Sequence, residues 1–131
     1  MFSYHKLIVA GGRDFDDYDL LSRKLNKIRH TVWSNFLADD LEIVSGTARG
    51  ADKLGEKWAE ENHVPIKRFP ANWRPYSDKN IVDKSAGYKR NEKMAKYGNS
   101  LLAAWDGESK GTGHMIDLAK KHGLGVMILR Y

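Results

Sequence analysis

The stretch "LLAAWDGESKGTGHMIDLA", residues 101–119, decides the fold. Its opening "LLAAW" is an apolar run that suits a strand buried on both faces. A loop bearing Asp106, Gly107 and Gly111 follows, and from about Thr112 the apolar residues fall at helical spacing. An apolar strand passing through glycine into a helix is the building unit of a parallel α/β sheet. The same stretch poses a functional question, because such a turn either relieves packing strain or cradles a phosphate.

Upstream, the unit repeats. "KLIVAGG", residues 6–12, predicts a first buried strand, and Leu20, Leu21, Leu25, Ile28 and Val32 predict a helix with Asp16 or Asp17 as N-cap. "LEIVSG" predicts a second strand and "GADKLGEKWAEENH" a second helix, with Ala51, Leu54, Trp58 and Ala59 on one face. Trp33 and Trp58 are both expected in the core. "VPIKRFP" predicts a third strand near an edge, since Pro65 cannot donate to a ladder. Residues 71–88 lack periodicity and read as a long loop, a feature that is commonly functional. "KRNEKMAKYG" predicts a short helix, Gly123 closes the last helix, and "GVMILRY" a final strand. The expectation is one α/β domain over residues 1–131, a three-layer Rossmann-like sandwich around a mostly parallel sheet of about five strands.

Composition narrows the function. With 131 residues the chain has room for one core. No stretch approaches the roughly 18 to 20 apolar residues of a membrane span, and the start "MFSYHKLIVAGGRDF" has no small-residue cleavage site, so a cytoplasmic protein without membrane association is expected. The absence of cysteine excludes disulfides and thiolate chemistry. Net charge is +5, from 22 basic and 17 acidic residues, which favours anionic partners. The excess is spread along the chain with no basic run, so a nucleic-acid partner is not expected. The five histidines do not cluster at metal-ligand spacing. No resident metal or cofactor is expected, while a magnesium ion carried in by a ligand's phosphate stays open.

In an open α/β sheet, ligands sit outside the carboxyl ends of the strands. Three predicted strand ends carry glycine and polar residues: "GGRDF" at 11–15, "SGTARGAD" at 45–52 and "WDGESKGTGH" at 105–114. Glycine lets backbone approach an anion, and a following helix offers unpaired N–H groups. None of the three is G-x-G-x-x-G or G-x-x-x-x-G-K-[ST], which disfavours dinucleotide oxidoreductases and P-loop NTPases.

Together "GGRDF", "SGTARGADKLGEKWA", "FPANWRPY", "AGYKRNEKMA" and "WDGESKGTGHMIDLAKKHG" resemble the YspA-like branch of the SLOG superfamily. That superfamily joins the DNA-processing protein DprA and the Lonely Guy phosphoribohydrolases. The resemblance implies a Rossmann-like fold and a nucleotide or nucleotide-derived ligand. Its binding residues would be Gly11, Gly12 and Arg13 in the first loop, Ser45, Gly46, Arg49, Gly50 and Asp52 in the second, and Gly107, Ser109, Gly111 and Thr112 in the third.

Compared with the Lonely Guy pattern, Arg90 and Met94 match the arginine-bearing helix, and Gly111 and Thr112 match the G-T of P-G-G-x-G-T. Asp106 and Gly107 stand in place of its proline and glycine, in a loop one residue longer, and His114 falls where that family has the glutamate that assists N-glycosidic cleavage. The resemblance therefore implies a binding protein first, with a nucleotide hydrolase using His114 or Asp106 as the alternative and DprA-like single-stranded DNA binding as a second. At the first turn of a helix His114 would be disfavoured in its protonated form. Arg13, Arg49 and Arg90 are candidate phosphate ligands. Trp73 and Tyr76 are candidates to stack on a base, and Trp105 is assigned to packing. Dimers are common in the resembling enzymes, which leaves a homodimer or higher homo-oligomer open.

Overall fold

The computed structural model describes residues 1–131. Five strands alternate with four helices: β1 (Tyr4–Gly11), α1 (Tyr18–Ser34), β2 (Asp40–Ser45), α2 (Ala51–Glu61), β3 (Ile66–Arg68), α3 (Ala86–Tyr97), β4 (Ser100–Trp105), α4 (Lys110–Lys121) and β5 (Gly125–Arg130). Every strand pair is parallel, and the sheet order is β3-β2-β1-β4-β5. The expected α/β sandwich is present, with a sheet that is wholly rather than mostly parallel.

The period-2 alternation of β1 sorts its side chains to two cores. Leu7 and Val9 join Leu21, Leu25, Ile43, Trp58 and Leu102 on the face covered by α1 and α2. Ile8 and Ala10 join Val44, Met94, Leu101, Met115 and Ile116 under α3 and α4. Both faces of the central strands are thus covered, which explains why they read as continuous apolar runs. The chain winds outward from β1 through β2 to β3, then crosses to β4 on the other flank of β1. The strand order reverses between β1 and β4, and the crevice at their carboxyl ends is where such sheets bind ligands.

Local signals account for most element ends. Asp17 caps α1 by accepting from the Leu20 N–H at 3.1 Å. Gly123 takes φ +77 just past α4. Edge strand β3 is only three residues long and begins after Pro65. No helix is long and apolar enough to cross a membrane.

Three local expectations need correction. Trp33 is 44% exposed rather than in the core; it lies one residue past the Val32 stripe, with the Arg29 guanidinium 4.5 Å over its ring. Helix α3 begins at Ala86, three residues before the expected Lys89. Buried Asp83 makes that early start, accepting from the N–H and hydroxyl of Ser85 at 3.0 and 2.6 Å and from Lys89 Nζ at 2.8 Å. Helix α4 begins at Lys110, two residues before Thr112.

Candidate functional site

The three glycine-bearing loops do share the carboxyl edge of the sheet, where they surround a cleft of about 490 Å³. That size lies within the range of small-molecule sites, roughly 300–1,000 Å³.

The first loop is held from below. Gly12 donates to the Ala104 carbonyl at 3.0 Å, and its own carbonyl accepts from Phe15 and Ala51, each at 3.2 Å. Phe15 is buried and meets the Tyr131 ring edge-on, while the Tyr131 hydroxyl donates to Asp14 at 2.6 Å. With its neighbours anchored, Arg13 projects exposed into the cleft and makes no ion pair or side-chain hydrogen bond within the protein.

The second loop is tightly folded. Thr47 adopts φ +66, a left-handed backbone that a β-branched residue takes up at a cost of order 1–3 kcal/mol. It is held there by the Ser45 hydroxyl, which accepts the Thr47 N–H at 3.1 Å and donates to Glu56 at 2.6 Å. Gly50 has φ +82, and a Cβ there would run into the Gly12 carbonyl oxygen, so the first two loops touch through backbone. Arg49 is exposed on the cleft without a carboxylate partner.

In the third loop, Asp106 accepts the N–H groups of Glu108 and Ser109 at 2.9 and 2.8 Å. These bonds hold its carboxyl below the usual range and keep it ionised. Ser109 gives α4 no side-chain cap, although its hydroxyl lies 3.2 Å from that of Thr112. The first-turn amides of α4 therefore lack intrahelical partners at the cleft wall.

Helix α3 ties the loops together. The Arg90 guanidinium donates to the Gly46 carbonyl through Nη1 and to Asn91 Oδ1 at 3.0 Å through Nε. Asn91 in turn donates to His114 Nδ1 at 3.2 Å and to the Gly111 carbonyl at 3.4 Å. Burial lowers the Arg90 pKa; nearby Asp52 opposes this, and Arg13 adds to it. An anion between Arg13 and Arg90 would relieve that repulsion.

Asp52 is the buried carboxylate of the cleft, with 4% of its surface exposed. Its Oδ2 accepts the Ala48 N–H at 3.3 Å. Burial pushes its carboxyl up to about 6, against the pull of Arg90 and the backbone N–H groups of Ala48 and Gly11. A Cβ on Gly46 would lie 2.7 Å from Arg90 Nη1 and 2.8 Å from Asp52 Oδ2, so glycine there is what lets both groups approach the same backbone.

The cleft lining includes Gly11, Gly12, Arg13, Arg49, Asp52, Arg90, Ser109, Gly111 and Thr112 of the residues named from sequence. Gly46 lines an adjoining hollow instead. Ser45 is fully buried on the α2 side and bound to Glu56, and Gly50 and Gly107 are close-packed turns; none of the three lines the cleft. Neither candidate catalytic group lines it: Asp106 is engaged in its own turn, and the His114 ring packs at a tilt of 41° against Tyr88, with centroids 4.3 Å apart. Trp73 lines the cleft and Tyr76 does not. Trp105 packs against the second core and donates to the Ser109 carbonyl at 3.1 Å.

Lys84, Tyr88 and Asn91 also line the cleft and were not singled out from sequence. Asn91 lies at helical spacing from Met94 inside the expected helix, whereas Tyr88 joins the helix only because α3 starts at Ala86, and Lys84 precedes it in a loop without periodicity. No three His, Asp or Glu side chains converge to hold a metal ion.

Comparison with known proteins agrees with this architecture. A model of the YspA, cpYpsA-related SLOG family matches residues 5–76. Gene 61 protein of Mycobacterium phage D29 is 34% identical over 135 residues, covering 93% of this chain and 94% of that protein. Among solved structures, DNA processing protein A (DprA) from Streptococcus pneumoniae superposes with a TM-score of 0.70 at 17% identity, over 95% of this chain and 50% of that one. DprA from Helicobacter pylori, which binds single-stranded DNA, superposes with a TM-score of 0.63 at 16% identity, over 95% of this chain and 64% of that one. The chain thus spans about half to two thirds of these structures, and the likeness concerns the fold. By the match over residues 5–76, more than half of its length, the chain belongs to the YspA, cpYpsA-related SLOG family.

Proposed function

We propose that this protein binds a nucleotide or nucleotide-derived ligand in the strand-end cleft. The observation that carries the reading is Arg13 and Arg49, two cleft-facing guanidinium groups without protein partners, beside Arg90. Four cationic side chains (Arg13, Arg49, Lys84, Arg90) face two carboxylates (Asp14, Asp52), and Asp14 already holds the Tyr131 hydroxyl. A phosphate between Arg13, Arg90 and the first turn of α4 would meet charge-assisted donors. Trp73 and Tyr88 offer aromatic faces to a base. A magnesium ion would enter on the ligand's phosphates. Calorimetry against AMP, ADP-ribose, NAD and GTP tests the reading, which predicts binding of at least one; no heat from any of them at millimolar concentration rejects it.

A nucleotide hydrolase is the second reading, and the observation favouring it is Asp52, a buried carboxylate in the cleft lining whose carboxyl burial pushes up to about 6. It moves the candidate proton-transfer group from His114 and Asp106 to Asp52. Incubation with nucleoside monophosphates and chromatography for free base tests it. Turnover lost in Asp52→Asn but kept in His114→Ala and Asp106→Asn supports that assignment, and absence of turnover in the wild type removes it.

A further inference from the structure

We propose that the ligand of this site carries phosphate at two places, one held in the cleft and a second held in a basic groove beyond Arg90, as in a linear phosphodiester-linked dinucleotide. The inference rests on the nucleotide-binding reading above and concerns how far the ligand extends.

The groove has a volume of about 470 Å³ and lies between the end of β3, the chain at Phe69–Asn72 and the outer side of α3. Five cationic side chains line it (Lys67, Arg68, Lys89, Arg90 and Lys93) against the single carboxylate of Asp83. Their partners divide them. Arg68 is bound to Glu56 at 2.9 Å and Glu60 at 3.5 Å, and Lys89 to Asp83 at 2.8 Å. Lys67 lies 5.6 Å over the Phe69 ring with no carboxylate partner, and Lys93 has none either. Two compensated cations therefore shape the wall, Arg90 is tied to Gly46 and Asn91, and the two uncompensated lysines remain for an external anion.

The groove and the cleft share Arg90 as a common wall. A third hollow of about 580 Å³ borders both, lined by Arg13, Thr47, Arg49, Ala71, Trp73 and Arg90. Arg90 lines all three spaces, and Trp73 lines both the cleft and the third hollow. Each space alone is large enough for a nucleotide-sized unit. A mononucleotide seated at Arg13 would leave the free charges of Lys67 and Lys93 unmatched. A dinucleotide would place its linking phosphate and second sugar past Arg90, with a base free to stack on Trp73, a contact open to every base.

A polynucleotide would need this pattern to continue beyond the groove. The net charge of +5 is spread along the chain without a basic run that could serve as such a track.

The test compares, by calorimetry at one fixed salt concentration, the best-bound of the four ribonucleoside monophosphates with its 5′-phosphorylated dinucleotide. Wild type and the double variant Lys67→Gln/Lys93→Gln are both titrated. In the wild type the dinucleotide should bind at least tenfold tighter. In the double variant that gain should vanish, while the monophosphate affinity moves less than twofold. Both lysines are exposed, and an unchanged circular dichroism spectrum would confirm an intact fold. Equal affinities for the two ligands in the wild type, or a gain that survives the double substitution, overturns the second subsite while leaving nucleotide binding in place. A ten-nucleotide strand binding a further tenfold tighter than the dinucleotide overturns it in favour of single-stranded nucleic acid. No binding of any monophosphate or dinucleotide overturns the underlying nucleotide reading as well.

Discussion

Replacing Asp52 by asparagine should remove a pH-dependent penalty from the fold. Asp52 is 4% exposed on the first turn of α2, and burial raises its carboxyl from 3.8 to about 6. The folded state therefore holds this proton more tightly than the unfolded chain. The resulting stabilisation is fully present below pH 3.8 and is lost as pH rises through 6. A shift of about two units corresponds to about 3 kcal/mol over the whole window, of which about half falls between pH 5 and 7.5. Other carboxylates act with the opposite sign but titrate lower: Asp83 is held at about 2, and Glu56 and Asp106 lie below their ordinary values. Burial lowers His5 below 6.5, so its contribution grows with pH inside the same window. The informative quantity is therefore the difference between wild type and Asp52→Asn, in which His5 cancels. Urea unfolding followed by tryptophan fluorescence at pH 5 and 7.5 measures it. The variant should gain about 1–2 kcal/mol on the wild type between the two pH values. Parallel pH profiles for the two proteins would refute the assignment of Asp52 as a buried, proton-exchanging carboxylate.

Arg13→Ala should weaken nucleotide binding about 10- to 100-fold, the loss of a charge-assisted contact of about 1.5–3 kcal/mol. Its melting temperature should stay at the wild-type value, because Arg13 is exposed and without partners; calorimetry and a thermal melt check both halves. Gly50→Ala should destabilise the fold by about 3 kcal/mol, through left-handed strain at φ +82 and collision with the Gly12 carbonyl. An unshifted melt would remove that backbone contact from the account. Trp58→Ala should cost about 3–5 kcal/mol, since Trp58 is fully buried and donates to Asn26 Oδ1 at 3.0 Å. Trp33→Ala should cost under about 1 kcal/mol, since what it loses is an exposed stacking contact with Arg29; equal costs in denaturant unfolding would contradict their placement.

Most of the fold was legible because β1, β2 and β4 are apolar runs covered on both faces, and the helices show one apolar stripe each. Trp33 shows where periodicity stops helping. It is one residue, about 100° of helical rotation, beyond Val32, and a sequence does not reveal how far the covering sheet reaches around α1. Ser45 illustrates the same limit in a strand. It shares the face of Ile43, and that face packs against α2, where Glu56 takes the hydroxyl. The alternation was readable, but which helix covers which face follows from tertiary order.

The assignment of chemistry depended on helix boundaries, and there a shift of two residues changed the outcome. With α4 starting at Lys110, His114 is one full turn inside the helix, past the region where the terminal field is strong. Its Nδ1 accepts from Asn91 and its ring faces Tyr88, so it braces α3 against α4. The earlier start of α3 adds Gly87 and Tyr88 to Asn91 and Met94 along the cleft, and Arg90 lies between the cleft and the basic groove. The carboxylate that reaches the cleft is Asp52, at the end of the second glycine loop. Its proximity to Arg90 requires residue 46 to lack a side chain, a spatial constraint that the letters "SGTARGAD" do not express. If Gly46→Ala left both Arg90-dependent binding and the pH profile of Asp52 unchanged, the coupling of α2 to α3 across this backbone would have to be abandoned.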